Sequence, residues 1–274
     1  MIRFDAYTAT TKGAKPHDLV GILFGLAGTS GSTKEGRGFH TFAERIAVRD
    51  ETGSEVGSVS WGGVQGERVM FEVKGEHTPG AVEAFRGSYE HRVTRVDACA
   101  DFDAPGAFEA LLRPCIEVKR DHKLRGEKSG DWDDFPEFGR TLYLGAPTSA
   151  VKARMYEKGK QPEYVHLSRP DWCRLEVQVR PAKQAKESYS SLGPSEVWGA
   201  SRWSRDLAAK VLQEHIDPHP AGSTYRATER DRAISWMTKQ YGHHLVGLAA
   251  DLGGWECLGL TLGEYIKEQS KGVR

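Results

Sequence analysis

Three short segments, far apart in the chain, alternate polar and apolar side chains in the way that β-strands do. They are TRVDACADFD (94–103), VKARMYEKG (151–159) and WCRLEVQVRP (172–181). Because successive side chains of a strand point to opposite faces, each segment separates charged residues from aliphatic ones. If the three strands are neighbours, acids, bases and one tyrosine converge on one face of a sheet.

The alternation also predicts which side chains share that polar face. They are Arg95, Asp97, Cys99, Asp101, Asp103, Lys152, Arg154, Tyr156, Lys158, Arg174, Glu176, Gln178 and Arg180. This combination of groups suits a metal-assisted attack by a tyrosine on a phosphodiester.

The order of predicted elements indicates an internal duplication. The first half reads as a strand at 2–10, a helix at 17–27, strands at 39–48, 55–61 and 68–74, and a helix at 79–89. The second half repeats this order with a strand at 93–102, a helix at 107–118, strands at 140–144, 151–157 and 172–179, and a helix from about 195. In this alignment Asp5 matches Asp97, and Glu72 matches Glu176. We therefore predict an α+β fold of two βαβββα units that form one mostly antiparallel sheet, with helices on one face.

The pattern changes to amphipathic helices from about Ser195. We predict a duplicated catalytic domain over residues 1–190 and a C-terminal helical region over residues 191–274. The stretch 123–139 is dense in Gly, Asp and Pro and predicts a long loop, either a functional cover or a surface excursion.

Composition narrows the class of protein without naming a partner. The chain has 274 residues, and its longest apolar stretch, residues 19–27, is too short to span a membrane. The four cysteines form no CxxC pair and no signal peptide precedes them, which favours a reduced cytoplasm. Lys+Arg and Asp+Glu both number 38, so any DNA binding must come from a local basic stripe. The candidates for this stripe are Arg92, Arg95, Lys152, Arg154, Arg174 and Arg180.

Four strings of the chain resemble a known family. VMFEVKG (69–75) and TRVDACADFD are followed by RTLYLGAPTSAVKARMYEKGKQ (140–161) and RLEVQVRP (174–181). This succession resembles the trans-acting replication initiators of rolling-circle plasmids and phages, which are related to relaxases of some conjugative elements. The resemblance implies a bacterial, cytoplasmic enzyme that nicks and rejoins origin DNA through a 5′-phosphotyrosine. It also implies an all-carboxylate metal site, and a host helicase and a second copy of the chain as further partners.

Tyr156 is the candidate nucleophile. A phenol with its usual pKa near ~10 needs cations, a metal or a base to favour the phenolate. Arg154 and Lys158 flank Tyr156 two residues away on the same predicted face. Tyr143 is the rival nucleophile; it lacks such cationic neighbours in the sequence.

Asp97, Asp101 and Glu176 are the candidate ligands for Mg²⁺ or Mn²⁺, ions that prefer oxygen donors. Asp97 and Asp101 would lie about 13 Å apart on a regular strand, so Asp97 and Glu176 make the better pair. The third ligand is Asp101, Asp103 or Glu72. In the alternative interpretation, these carboxylates pair with arginines in a structural network. The His-hydrophobic-His triplet of many rolling-circle nickases does not occur in the chain, which disfavours zinc.

Two functions from different classes follow from these patterns. The first is a metal-dependent nickase, in either replication or conjugative transfer. The second is a non-catalytic factor that binds origin DNA with the same sheet face. An SDS-stable protein–DNA adduct would separate them.

Overall fold

The computed structural model describes residues 1–133, 138–222 and 229–271. Within these ranges ten strands form a single sheet in the order β2-β3-β4-β5-β1-β6-β10-β9-β8-β7, with all neighbours antiparallel. The strands are β1 (Ile2–Thr11), β2 (Ser32–Arg37), β3 (Glu44–Arg49), β4 (Glu55–Trp61), β5 (Val69–Lys74), β6 (Arg92–Asp103), β7 (Gly126–Gly130), β8 (Arg140–Leu144), β9 (Val151–Glu157) and β10 (Trp172–Val179). The helices are α1 (Pro16–Ala27), α2 (Thr78–Ser88), α3 (Ala107–Asp121), α4 (Ala185–Ser188), α5 (Arg202–Val211), α6 (Glu229–Asp251) and α7 (Trp255–Lys271).

The sheet confirms the predicted α+β fold and its duplication. Strands β1 and β6 pair at the centre, and the order of strands outward from β1 repeats outward from β6. Strands β2 and β7 were not predicted. Every residue of both strands is exposed, so neither carries the apolar alternation by which a half-buried strand is recognised.

The helices pack on one face of the sheet. The core between the two layers contains Leu23 of α1 and Phe85 of α2, and the apolar sides of the strands, such as Phe71 and Leu175. Gly57 of β4 allows α1 to approach closely, because a Cβ atom there would lie 2.9 Å from the Leu23 side chain. The opposite face carries the predicted polar side chains.

The described chain divides into two compact units, Met1–Ser223 and Thr224–Arg274. The first unit extends beyond the predicted boundary at residue 190, because the segment that follows contributes to its core. Trp198, Leu207 and Ala208 are fully buried, and α5 packs on α3. Sequence reasoning assigned these amphipathic helices to the tail because their pattern matches that of the later ones.

The second unit contains α6 and α7, which pack on each other, and Ala249 and Leu258 are buried. No single helix of the described chain is both long and apolar enough for a membrane span. The segments Trp236–Asp251 and Trp255–Glu268 reach that threshold as a pair, with a bend of 109° between them.

The stretch predicted as a long loop contains β7, which pairs with β8. Residues 134–137 of that stretch lie outside the described residues.

Candidate active site

The strand register brings the three polar segments together as predicted. Strand β10 lies between β6 and β9. Arg174 is opposite Asp101 on one side and Tyr156 on the other, and Glu176 is opposite Arg154. Directly opposed residues of neighbouring strands project from the same face. The polar face is therefore continuous across β6, β10 and β9.

Arginines hold the acidic side chains of this face. The Arg174 guanidinium donates to Asp101 at 2.6 and 2.8 Å and to Asp5 at 2.6 Å. Arg154 donates to Glu176 Oε2 through Nε at 3.0 Å and Nη2 at 2.9 Å. These are charge-assisted hydrogen bonds, and the Arg154 and Arg174 contacts with single carboxylates each use two nitrogen atoms.

Asp97 is held in the same way. Arg95 donates to Asp97 through Nε at 3.0 Å and also through Nη2, and Gln178 Nε2 donates to Asp97 at 3.1 Å. Asp97 is buried, whereas Arg95 is partly exposed.

The carboxylates proposed as metal ligands do not fit a preformed metal site. Asp97, Asp101 and Glu176 are each engaged by an arginine. The other two candidates are also paired, Asp103 with Arg169 at 2.7 Å and Glu72 with Lys74 at 2.6 Å. No group of three His, Cys, Asp or Glu side chains in the described ranges is placed to hold a metal ion. This arrangement corresponds to the salt-bridge network that the sequence left open as the alternative.

Tyr156 lies within this network and is only 5% exposed. Its ring centroid is 4.9 Å from the Arg154 guanidinium and 6.0 Å from Lys158 Nζ. Burial raises the pKa of the Tyr156 phenol above its usual value, and the charge of Glu176 raises it further, against the opposite effect of Arg154 and Arg174. Arg154 therefore favours the phenolate, as the sequence predicts, but desolvation is the larger effect.

Glu176 is a buried carboxyl beside the tyrosine. Burial raises its pKa to about 7, Arg154 opposes this shift, and the negative charges of Asp97 and Asp5 add to it. Glu176 therefore changes its protonation state close to neutral pH, which is a property of general acid–base groups.

Lys158 does not lie on strand β9, contrary to the sequence-based interpretation. The strand ends at Glu157, and Lys158 begins a short 3-10 helix that ends at Lys160. Its Nζ is 3.9 Å from the Tyr164 ring centroid and 5.4 Å from that of Trp172. Burial lowers the pKa of Lys158 to about 8, and the positive charge of Arg174 contributes to this shift. Sequence reasoning missed the two aromatic residues, which sit in a loop and at a strand end.

Tyr143 on β8 is better placed than its sequence suggested. It is directly opposite Arg154, and its exposed fraction is 38%. Tyr143 lines a cavity of about 780 Å³ together with Arg95, Lys152, Arg154 and Glu176. The prediction that Tyr143 lacks cationic neighbours is wrong, because strand pairing places Arg154 of β9 directly opposite Tyr143.

The predicted basic stripe divides into buried and accessible members. Arg174 is 2% exposed and is bound to Asp5 and Asp101, so it joins strands within the site. Lys152 lines the cavity. Burial lowers the pKa of Lys152, and the positive charges of Arg180 and Arg95 lower it further. Arg180 is exposed just beyond the end of β10. Lys152, Arg180 and the exposed parts of Arg92, Arg95 and Arg154 are thus the members of the stripe that a DNA strand could reach.

Comparison with solved structures found a likeness of fold. No protein-family model and no curated protein matches the chain. Among solved structures, a rolling circle replication initiator protein from Geobacillus stearothermophilus is similar over 85% of this chain and 91% of that chain, with 17% sequence identity and a TM-score of 0.49.

Proposed function

We propose that this protein nicks and rejoins DNA at a replication origin through a covalent 5′-phosphotyrosine. The observation that carries the proposal is the meeting of Tyr156, Arg154 and Glu176 on the sheet face opposite the helices, where Arg154 and Glu176 line a cavity of about 780 Å³. The succession of strings that resembles rolling-circle initiators supports the same reaction.

The reaction is a transesterification. The Tyr156 phenol loses its proton to ionised Glu176, and its oxygen attacks the phosphorus of the scissile phosphodiester. The bond between phosphorus and the 3′ oxygen breaks, and the leaving oxygen takes a proton from Glu176. Arg154 and Lys158 neutralise negative charge on the phosphoryl oxygens. Rejoining is the same sequence in reverse, and the phosphotyrosine keeps the energy of the broken bond.

Tyr143 is a second candidate for the nucleophile because it is the more exposed of the two phenols. It faces the same cavity and the same Arg154. The proton acceptor would again be Glu176, which lines the cavity.

A requirement for Mg²⁺ or Mn²⁺ is a separate proposal. Since arginines hold the carboxylates proposed as ligands, the steps above use only side chains of this chain. Nicking assays in Mg²⁺, in Mn²⁺ and in a chelator test the requirement directly. Activity that persists in the chelator would reject it.

The second function is a non-catalytic factor that binds origin DNA. The ion pairs favour it, because each candidate ligand is paired with an arginine or, for Glu72, with Lys74, and these pairs need no reaction to explain them. Under either function we propose a bacterial cytoplasmic setting, in replication or conjugative transfer, with a host helicase and a second copy of the chain as partners.

An adduct assay separates the functions and the two tyrosines. The protein is incubated with a labelled single-stranded origin oligonucleotide and then denatured in SDS. We expect an adduct with the unaltered chain, none with Tyr156→Phe, and a normal amount with Tyr143→Phe, because each change removes only a hydroxyl. The reverse result for the two variants moves the nucleophile to Tyr143. A chain that binds the oligonucleotide yet forms no adduct under any of the metal conditions rejects the enzyme in favour of the binding factor.

A further inference from the structure

The N-terminal half contains a counterpart of the candidate active site. Ser58 of β4 is opposite Glu72 of β5, as Arg154 is opposite Glu176 in the second half. Two residues further along the strand, Ser60 takes the place of the candidate nucleophile. The first half therefore keeps the carboxylate and a hydroxyl but has no phenol at this position.

Four polar groups around this counterpart are buried without a hydrogen-bond partner in the part of the chain that the structure describes. They are the hydroxyls of Ser58 and Ser60 and the Nε atoms of Arg45 and Arg49. Leaving such a buried group unsatisfied costs on the order of 1–3 kcal/mol. Buried polar atoms without a partner are rare in native proteins and require an explanation. Here they are concentrated on two adjacent strands, β3 and β4.

These groups face away from the helices. Gly57 of β4 faces α1, since a Cβ atom there would meet the Leu23 side chain. Because side chains alternate along a strand, Ser58 and Ser60 point to the opposite face. Arg45 is directly opposite Ser60 and lies on that same face. The face is the one that carries the candidate active site in the second half.

Two arginines give the patch its positive charge, and the nearby carboxylates Glu55 and Glu72 pair with Arg45 and Lys74. Arg45 pairs with Glu55 through Nη2, which leaves its Nε free of an acceptor. Arg49 forms no ion pair with any residue within the described ranges. Guanidinium groups next to hydroxyls supply several convergent donors, and a phosphate supplies several acceptor oxygens in a matching geometry.

We propose that Arg45, Arg49, Ser58 and Ser60 form a second phosphate-binding site, called here the N-terminal phosphate patch, for the DNA strand that is cut in the other half. The inference rests on the proposed function and assigns the first half the task of holding the strand. The sheet order places β3 six strand spacings from β9. At about 4.8 Å per spacing this is roughly 29 Å, or about 8 nucleotides at the ~3.4 Å per nucleotide of a stacked strand, and fewer nucleotides in an extended strand.

The separation makes the proposal testable by the length of the DNA. Fluorescein-labelled single strands of about 4 and about 30 nucleotides are bound to the full chain, and affinity is measured by anisotropy over a series of salt concentrations. Only the longer strand can reach both sites. Arg45→Ala/Arg49→Ala should flatten the dependence of log affinity on log salt by about 1.4 with the longer strand, at ~0.7 per lost phosphate contact. Nicking of the shorter strand, which occurs at the other site, should not change.

Two further variants complete the design. Arg113→Ala/Arg120→Ala removes the same charge from exposed positions on α3, on the helix-covered face, and should leave binding of the longer strand unchanged. Ser58→Ala/Ser60→Ala removes hydrogen bonds without changing charge and should weaken binding of the longer strand severalfold at an unaltered salt slope. This pair also keeps the test open if the arginine variant does not fold.

The outcomes distinguish this inference from the function on which it rests. If the arginine and serine variants bind the longer strand as the unaltered chain does, or if the α3 control loses as much affinity, the phosphate patch is rejected. If the unaltered chain shows no salt-sensitive binding to either strand, the proposed function itself fails.

Discussion

Glu176 and Lys158 carry opposite pKa shifts on either side of Tyr156. Burial raises the pKa of the Glu176 carboxyl to about 7 and lowers the pKa of the Lys158 ammonium to about 8. Glu176 accepts a proton only in its ionised form, so nicking should rise as the pH passes about 7. Lys158 loses its charge as the pH passes about 8, so nicking should fall there. We expect a bell-shaped pH dependence of the single-turnover rate, with limbs that report the coupled site.

Replacement of Lys158 by arginine isolates the alkaline limb. Arginine stays protonated across the range, so Lys158→Arg should retain activity above pH ~8, where the unaltered chain declines. Lys160→Arg, two residues further along, is the matched control and should keep the original limb. An alkaline limb that stays in place in Lys158→Arg would assign it to another group, such as the phenol.

The sequence predicted which residues share the polar face but not how they pair. Arg174 and Arg180 occupy equivalent places in the alternation of one strand, yet Arg174 is buried between two carboxylates and Arg180 is exposed. The difference arises from neighbouring strands, because β6 and β1 bring Asp101 and Asp5 to Arg174. A pattern within one segment carries no information about partners from distant segments, and the same limit hid the proximity of Tyr143 to Arg154.

At the scale of elements, the turn after β9 determines where Lys158 sits. A Cβ atom at Gly159 would lie 1.7 Å from the carbonyl oxygen of Arg169, so this glycine allows two backbone segments to touch. Gly159→Ala should separate the segments, displace Lys158 from the Tyr164 and Trp172 rings, and lower both the melting temperature and the nicking rate.

Gly21→Ala is the matched control for that substitution. Gly21 lies inside α1 with nothing within 4 Å of its missing Cβ atom. Alanine there should leave nicking unchanged and stabilise the chain by up to about 1 kcal/mol, because glycine is the poorer helix former. Thermal melts of both variants measure the contrast. Equal melting temperatures would show that the turn tolerates a side chain.

At the scale of the whole molecule, the first compact unit defines the smallest fragment that should fold. A chain of residues 1–222 retains α5 and the buried Trp198, whereas residues 1–190 lack both. We expect the longer fragment to melt cooperatively and to nick a single-stranded oligonucleotide. The shorter one should expose a large apolar surface and aggregate. Calorimetry and the adduct assay on both fragments test this. A folded, active 1–190 fragment would place the boundary where the sequence predicted it.

The duplication could be predicted because each half repeats the same order of strand-like and helix-like segments. That order does not depend on where each segment begins and ends. The boundary of the first unit could not be predicted, because helices that cover a sheet and helices outside it share the same amphipathic pattern. Burial of Trp198 depends on the surface it meets, which local periodicity does not specify.

The two strands that the sequence did not reveal have a consequence for assembly. Strands β2 and β7 end the sheet on either side, and both are short, fully exposed and carry a lysine near the middle, Lys34 and Lys128. An edge of this kind disfavours the addition of a further strand from another molecule, because it is short and presents charged side chains. Self-association of this chain would then use faces and helices in place of strand edges.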